Sequence, residues 1–397
     1  MQVCQLQGYV SNDTNYHHGD ASMNDTIINM ACDFAGSNNL PLLVPSGVFG
    51  SLLKGKEDAG SPRYIFTRMQ PYLRILCNPV DVALTERAVV EGKTVECKFY
   101  AMCIPVLLVN GCTGIGTGWS CSWPKHLARD VIAFVEALID GHAPPKLVPA
   151  FAKLRGYCVP TGDHTYRHDG AFEWTGDDSI RVTALPCGVW SKKFSDKLRA
   201  TSTVSNVVSK CTDSSVDVEL QDTRLKRGTT TDEQVREMHK LSVNISTKQL
   251  WCIDNGRMRR FESIVAYAAE WFERRKLMYD ARKAKMLEDL SRKAIIADNK
   301  ARYIREKIGG RVDIRGKTLS AIAELLEGLG FARNDARAEC DGYGYLMDIK
   351  QRGESAEDAE SFERAARAAR EQYERCLATD PLDMWRDDLA HLKKTIP

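Results

Sequence analysis

Ser61-Pro62-Arg63-Tyr64-Ile65-Phe66-Thr67 is the stretch on which the reading of this chain turns. A tyrosine directly follows an arginine and opens a β-prone run of Ile, Phe and Thr. Pro62 fixes the backbone just ahead of the pair and can hold both side chains in one geometry. A tyrosine oxygen can attack phosphorus. The free phenol has a pKa near ~10, so it needs a base or metal nearby and a cation to offset the charge that develops. Arg63 is such a cation at any working pH. Taken by itself the heptapeptide also has a plainer reading, a tyrosine packed in a strand beside a solvated arginine. Upstream, 58–62 reads as a loop leading into the strand that carries Tyr64.

With 397 residues the chain can hold two or three domains with their own cores. A hydrophobic share of 43% and a charged share of 27% are those of ordinary globular domains. Net charge is only +2, so any surface for nucleic acid must be a local patch. No apolar run approaches the ~20 residues of a membrane helix, and the N-terminus lacks the pattern of a signal peptide. The 13 cysteines are scattered and include no C-x-x-C pair, which argues for free thiols in a reducing compartment over zinc or redox motifs.

Periodicity predicts a helix at 24–34, with Ile27, Ile28, Ala31 and Phe34 on one side, and a buried strand at 104–109. A helix follows at 128–138, strands at 180–185 and 216–220, and a helix at 234–241. From Phe261 to Ile308 there is neither Gly nor Pro. Met286, Leu290, Ala294, Ala297, Ala301, Ile304 and Ile308 form an apolar stripe there, and Ala359, Phe362, Ala366, Ala369, Tyr373 and Cys376 form a second. With a short helical segment near 319–329 between them, the stripes predict an antiparallel coiled-coil pair with a globular tip.

Several motifs surround the tyrosine in order. They are Tyr16-His17-His18-Gly19-Asp20, Asn24-Asp25-Thr26, Gly36-Ser37-Asn38-Asn39-Leu40, Gly47-Val48-Phe49-Gly50, Asp58-Ala59-Gly60-Ser61-Pro62-Arg63-Tyr64 and Asn110-Gly111-Cys112-Thr113-Gly114-Ile115-Gly116-Thr117-Gly118-Trp119. Together they resemble the DNA breakage-and-rejoining region of type IIA DNA topoisomerases, of the eukaryotic or large-DNA-virus kind rather than gyrase. The resemblance runs from about Val3 to the C-terminus. It implies an α+β fold in three parts: a partial winged-helix domain at 1–100, an α/β tower domain at 101–260, and a long antiparallel coiled coil with a helical C-gate at 261–397. The family's preceding winged-helix segments are not in this sequence, which suggests a fragment, an excised piece or a split gene product.

The resemblance also implies roles. Tyr64 is the nucleophile that becomes linked to a 5′ phosphate, Arg63 stabilises the charge on phosphorus, and His18 holds a phosphate beside the scissile bond. His17 is a weaker DNA-binding candidate, with a structural role as the alternative. Ile115 matches an intercalating isoleucine; a strand-end core residue is the other reading. Lys54 and Lys56 are candidate phosphate contacts, as are Lys240, Ser242, Asn244, Ser246, Lys248 and Gln249, for which a solvated loop is the alternative. The chain departs from the pattern at Val48 and Leu52, where relatives carry Gln and Arg, and at Glu57, where they carry Lys. Lost cations weaken phosphate binding. No metal site is expected here. Mg2+ and ATP would be bound outside this chain, on TOPRIM and ATPase modules. The implied partners are double-stranded DNA, a second copy of the chain and those modules, with no membrane. The setting would be intracellular, in a nucleus, another DNA-containing compartment or a viral context. A non-catalytic DNA-binding and dimerisation module derived from a topoisomerase is the rival reading.

Overall fold

The computed structural model describes residues 1–254, 256–334, 339–349 and 356–397. They form two compact units, one of residues 1–276 with 385–397 and one of residues 277–384.

The first unit opens with helices α1 (Val3–Thr14) and α2 (Asp20–Ala31). Four short strands follow: β1 (Leu43–Ser46), β2 (Phe49–Ser51), β3 (Gly55–Ala59) and β4 (Phe66–Met69). β1 pairs with β4 and β2 with β3, both antiparallel. Val3, Ile27, Ile28, Ala31, Phe49 and Ile65 form their shared core. α2 starts at Asp20 rather than 24 because Gly19, at φ 89°, lets the chain turn into it; it stops before Cys32, whose backbone is no longer helical. The expected strand at Tyr64 is a turn, and the strand proper begins at Phe66. Part of the expected 58–62 loop belongs to β3.

Helices α3 (Leu73–Leu76) and α4 (Pro79–Leu84) lead to the hairpin β5 (Arg87–Val90) and β6 (Lys93–Cys97). The run at 104–109 is not the buried strand its composition predicts. It contains the start of helix α5 (Val106–Asn110), because Pro105 at the N-cap cannot donate to a ladder and Gly111 at φ 66° ends the turn. The glycine-rich run is a hairpin of β7 (Cys112–Gly116) and β8 (Trp119–Trp123). Helix α6 (Ala128–Ile139) buries Val131, Ile132, Phe134 and Val135 as its periodicity predicts.

Next come β9 (Cys158–Gly162), β10 (Thr165–Asp169), β11 (Ala171–Trp174), β12 (Ser179–Ala184), α7 (Ser191–Arg199), β13 (Val204–Ser209), β14 (Val218–Asp222), α8 (Asp232–His239), β15 (Ser242–Ser246), β16 (Leu250–Asp254) and β17 (Arg257–Phe261). They build a four-stranded sheet in the order β11-β12-β14-β13, a three-stranded sheet β15-β10-β9 and a hairpin β16-β17. Ile180, Val182, Phe194, Leu198, Leu220 and Val235 fill the space between the larger sheet and helices α7 and α8.

Helix α9 (Ile264–Ile308) runs 45 residues, about 70 Å at ~1.5 Å per residue, and contributes to both units. Within the first unit its Arg275 is buried and meets Asp81 of α4 at 2.5 Å. In the second unit it is followed by α10 (Leu319–Gly328), α11 (Gly344–Met347) and α12 (Ala356–Ala378). Tyr303, Ile304, Ile322, Leu326, Phe331, Tyr343 and Leu346 form that unit's core, against which Phe362 packs. Arg370 of α12 grips Asp298 of α9 at 2.8 and 2.7 Å. Phe362 packs on the core to which Tyr303 and Ile304 belong, while Arg370, later on α12, reaches Asp298, earlier on α9, so the two helices run antiparallel. Helix α13 (Pro381–Thr395) brings Trp385 into the first unit, where it stacks on Phe272 at 5.1 Å and its Nε1 donates to the Cys103 carbonyl at 2.9 Å.

Candidate functional site

Arg63 and Tyr64 sit on a tight turn built for exposure. Pro62 occupies its second position, and the Tyr64 N–H donates to the Ser61 carbonyl at 2.9 Å. The turn is docked on α1, since the N–H groups of Val3 and Cys4 donate to the carbonyls of Ile65 (3.1 Å) and Pro62 (3.2 Å). Two donors that a helix start leaves orphaned are thereby satisfied, and the turn is pinned at both ends. Ile65 turns into the core, while Tyr64 is 79% exposed beside an exposed Arg63. A phenol and a guanidinium thus stand in solvent on a backbone that is tied to α1 and to the core.

Glycines make room for this anchor. A Cβ at Gly60 would lie 2.9 Å from Ile65 Cγ2, and one at Gly47 would lie 3.0 Å from the same atom. Ile65 is β-branched and stiff, so it cannot simply fold away. Gly60→Ala is therefore expected to cost about 1–3 kcal/mol of overpacking, read by urea unfolding. An unchanged midpoint would show that the turn yields freely.

The β2–β3 hairpin that precedes the turn is clasped from the other side. Ser191 and Lys192 donate through their N–H groups to the carbonyls of Leu52 and Leu53, both at 3.0 Å, and Leu52 N–H donates to the Asp213 carbonyl at 2.9 Å. Gly55 lies so close to the Trp190 indole that a Cβ there would approach to 2.5 Å. Two of the three departures from the family pattern, Leu52 and Glu57, fall into place here. Leu52 is 6% exposed, where a cation would be stranded. Glu57 pairs with Lys193 of α7 at 2.8 Å, and that partner holds its carboxyl below the usual range. Lys54 is committed to Asp58 at 3.4 Å, and the Ser51 hydroxyl and Lys54 lower the Asp58 carboxyl. Lys56 lies in a groove with Asp25 and Asn29 of α2 and Ser61 and Pro62 of the turn.

His17 and His18 are both exposed in the link between α1 and α2. His17 Nε2 lies 3.5 Å from Glu91, which also accepts from Asn15 at 2.9 Å. His18 sets its ring edge-on to Tyr16 at 5.3 Å. Gln7, in the middle of α1, donates to Asp20 at 2.9 Å and ties the start of α2 to the helix whose first turn holds the tyrosine turn. Val3 and Gln7 are one turn apart, about 6 Å of rise, so the tyrosine turn and the start of α2 are both held by α1. Among the described residues no group of three or more His, Cys, Asp or Glu side chains could hold a metal ion.

Ile115 is 95% exposed near the tip of the β7–β8 hairpin, so it is no core residue. Behind it Trp119 meets Trp251 edge-on at 4.7 Å, and Ser122 N–H donates to the Gln249 carbonyl at 2.8 Å. Lys248 and Gln249 therefore adjoin the hairpin. The preceding part of that stretch, β15, pairs with β10 instead. Ser242 donates to Asp169 at 2.7 Å, Asn244 is exposed on β15, the Ser246 hydroxyl accepts from Lys248 N–H at 3.2 Å, and Lys240 ends α8 in a left-handed conformation at φ 53°. The sequence reading passed over Arg257, Arg259 and Arg260 on β17. Arg260 Nε donates to the Lys248 carbonyl at 3.2 Å, and Arg259 is paired with Glu270 at 2.7 Å. Three arginines within four residues were the available signal.

This arrangement, an exposed Arg-Tyr pair on a pinned turn and an apolar tip on a hairpin flanked by cations, has relatives. The chain belongs to the DNA gyrase/topoisomerase IV A-subunit family, whose model matches residues 1–390. It is 29% identical over 418 residues to DNA topoisomerase 2-alpha of Gallus gallus, covering 97% of this chain and 27% of that protein. It is 30% identical over 405 residues to the mitochondrial DNA topoisomerase 2 of Dictyostelium discoideum, covering 99% of this chain and 31% of the relative. The expected likeness to eukaryotic type II enzymes is borne out, and the chain spans under a third of the length of these relatives. The crystal structure of the Plasmodium falciparum topoisomerase II DNA-binding, cleavage and re-ligation domain matches with a TM-score of 0.92 at 24% identity, over 100% of this chain and 58% of that one, a likeness of fold.

Proposed function

We propose that this chain is the breakage-and-reunion portion of a type II DNA topoisomerase, cutting both strands of a duplex through 5′-phosphotyrosine links so that another duplex can pass. The observation that carries this is the exposed Arg63–Tyr64 pair on a turn pinned between α1 and the Ile65 core. Tyr64 Oη attacks the backbone phosphorus, the 3′ oxygen leaves, and the ester keeps the broken bond available for resealing. Arg63 offsets charge on the phosphoryl oxygens, and His18 holds a neighbouring phosphate. In this reading residues 1–100 are a partial winged-helix domain, 101–260 the tower, and 261–397 a coiled coil with a C-gate through which two copies meet. The expected dimer stretch, 319–347, includes 335–338, which lie outside the described residues. In this proposal magnesium and ATP chemistry belong to TOPRIM and ATPase modules outside these residues.

The test is a denaturing gel for protein-linked DNA. The chain alone should give almost no adduct; a TOPRIM-bearing partner with magnesium should give a protein–5′-phosphate link. Failure with every such partner would favour the second reading, a non-catalytic DNA-binding and dimerisation module, which the buried Leu52 in a cation's place supports.

Ile115 is the wedge in this proposal. An apolar side chain inserted between base pairs costs a few kcal/mol of unstacking and bends the duplex. Ile115→Ala is expected to reduce the bend, measured by fluorescence transfer between duplex ends, while leaving most of the charge-driven affinity. An unchanged bend would remove Ile115 from the DNA. Lys56, Lys248 and Arg260 are proposed phosphate contacts.

A further inference from the structure

Three cysteines gather where the β7–β8 hairpin leaves the body of the fold. Cys112 opens β7, Cys121 lies on β8, and Cys252 lies on β16, which packs beside β8. In the hairpin register Cys112 faces Trp123 and Gly114 faces Cys121. The two hairpin cysteines are therefore diagonal neighbours on the same face of the ribbon. Both are free thiols, Cys112 exposed and Cys121 half-buried. Partial burial, together with the neighbouring Cys121 thiol, raises the Cys112 thiol above its ordinary pKa. Cys121 Sγ also donates to the Trp251 carbonyl at 3.2 Å, which holds it in place under β16.

We propose that Cys112 and Cys121 are a reversible dithiol–disulfide pair that reacts with small-molecule disulfides of the glutathione class. The Cys112 thiolate attacks one sulfur of the reagent, its S–S bond breaks, and the departing sulfur leaves as a thiol with the proton released from Cys112. The Cys121 thiolate then attacks the Cys112 sulfur of the mixed disulfide and a second thiol departs. Two hydrogens pass from the protein to two released thiols. Geometry decides between a permanent staple and a switch. Diagonal positions stand farther apart than the about 3.5–4.5 Å between Cβ atoms of a relaxed disulfide, so closure must twist the hairpin. A strained disulfide is the more readily reduced kind, which makes this pair one that cycles. The raised Cys112 pKa makes the first step slow near neutrality and faster as pH rises. The closed ring encloses Ile115, so oxidation restrains the tip whatever that side chain does.

The experiment uses the whole folded chain in buffers of varied glutathione to glutathione disulfide ratio, followed by acid quench, alkylation and trypsin. Cleavage after Lys98 and Lys125 gives one peptide, 99–125, holding Cys103, Cys112 and Cys121. Oxidation should make it lighter by two hydrogens and leave only Cys103, which is fully buried in the folded chain, to be alkylated. In Cys121→Ser the same peptide should instead carry one glutathione on Cys112. Amide exchange at 113–120 should slow by about tenfold or more in the oxidised chain. Three results would overturn the proposal: a wild-type chain that stops at the mixed disulfide, a bond from Cys121 to Cys252 instead, or no oxidation at any ratio that modifies Cys112 in Cys121→Ser.

Discussion

Tyr64→Phe is expected to abolish the covalent DNA adduct while leaving duplex binding at the level of the parent chain. The substitution removes one oxygen from a residue that is 79% exposed, so it takes the proposed nucleophile and little else. The anchor of the turn is untouched, because Ile65, Val3 and Cys4 hold it through the core and the backbone. In the proposed function the phosphate contacts that dominate affinity lie on other residues. Arg63→Ala should keep the adduct but slow its formation by roughly 10²–10³-fold, the usual loss when one preorganised charge-stabilising group is removed. Both are read on a denaturing gel with end-labelled duplex, magnesium and a TOPRIM-bearing partner. An adduct that survives Tyr64→Phe would place the nucleophile elsewhere. An Arg63→Ala chain at full rate would make the arginine a bystander.

The largest effect on stability is expected at Asp81→Ala. Asp81 is 0% exposed on α4 and faces the buried Arg275 guanidinium of α9 at 2.5 Å. Removing the carboxylate takes this counter-charge away from a buried cation, which costs about 3–5 kcal/mol. The pair itself is a different matter. Replacing both members with apolar residues of similar size, as in Asp81→Leu with Arg275→Met, should be neutral or stabilising, because neither charge then needs to leave water. Thermal and urea unfolding of the two variants separate these cases. A mild Asp81→Ala would mean that water reaches the pair.

The long helix could be read from the sequence because its signal is redundant: the absence of Gly and Pro from Phe261 to Ile308 and the apolar stripe both point to it. Helix α6 was equally plain, with six buried positions at helical spacing. Helix α1 was not, since it buries only Val3 and Gln7 and so carries almost no apolar periodicity. The run at 104–109 misled because a short apolar stretch fits a strand or a buried helix alike, and Pro105 and Gly111 decided it. At the candidate site, the motifs pointed to Arg63, Tyr64, His18 and Ile115, but motifs carry no orientation. That Tyr64 faces solvent while Ile65 faces the core is a matter of the Val3 and Cys4 bonds, which join segments about 60 residues apart. The stretch 240–249 looked uniform as a string, yet pairing with β10 and packing against β8 send its two ends to different places.

The clasp on the β2–β3 hairpin bears on how this gene product can be subdivided. A piece ending near residue 100 would keep the tyrosine and its turn but lose Trp190, Ser191, Lys192, Lys193 and Asp213. Gly55 would then face water where the indole now lies, Leu52 would lose its cover, and Glu57 its cation. The tyrosine segment is thus a shared possession of the first 100 residues and the sheet that follows, and a transplant of it into another scaffold has to carry the 190–213 edge along with it.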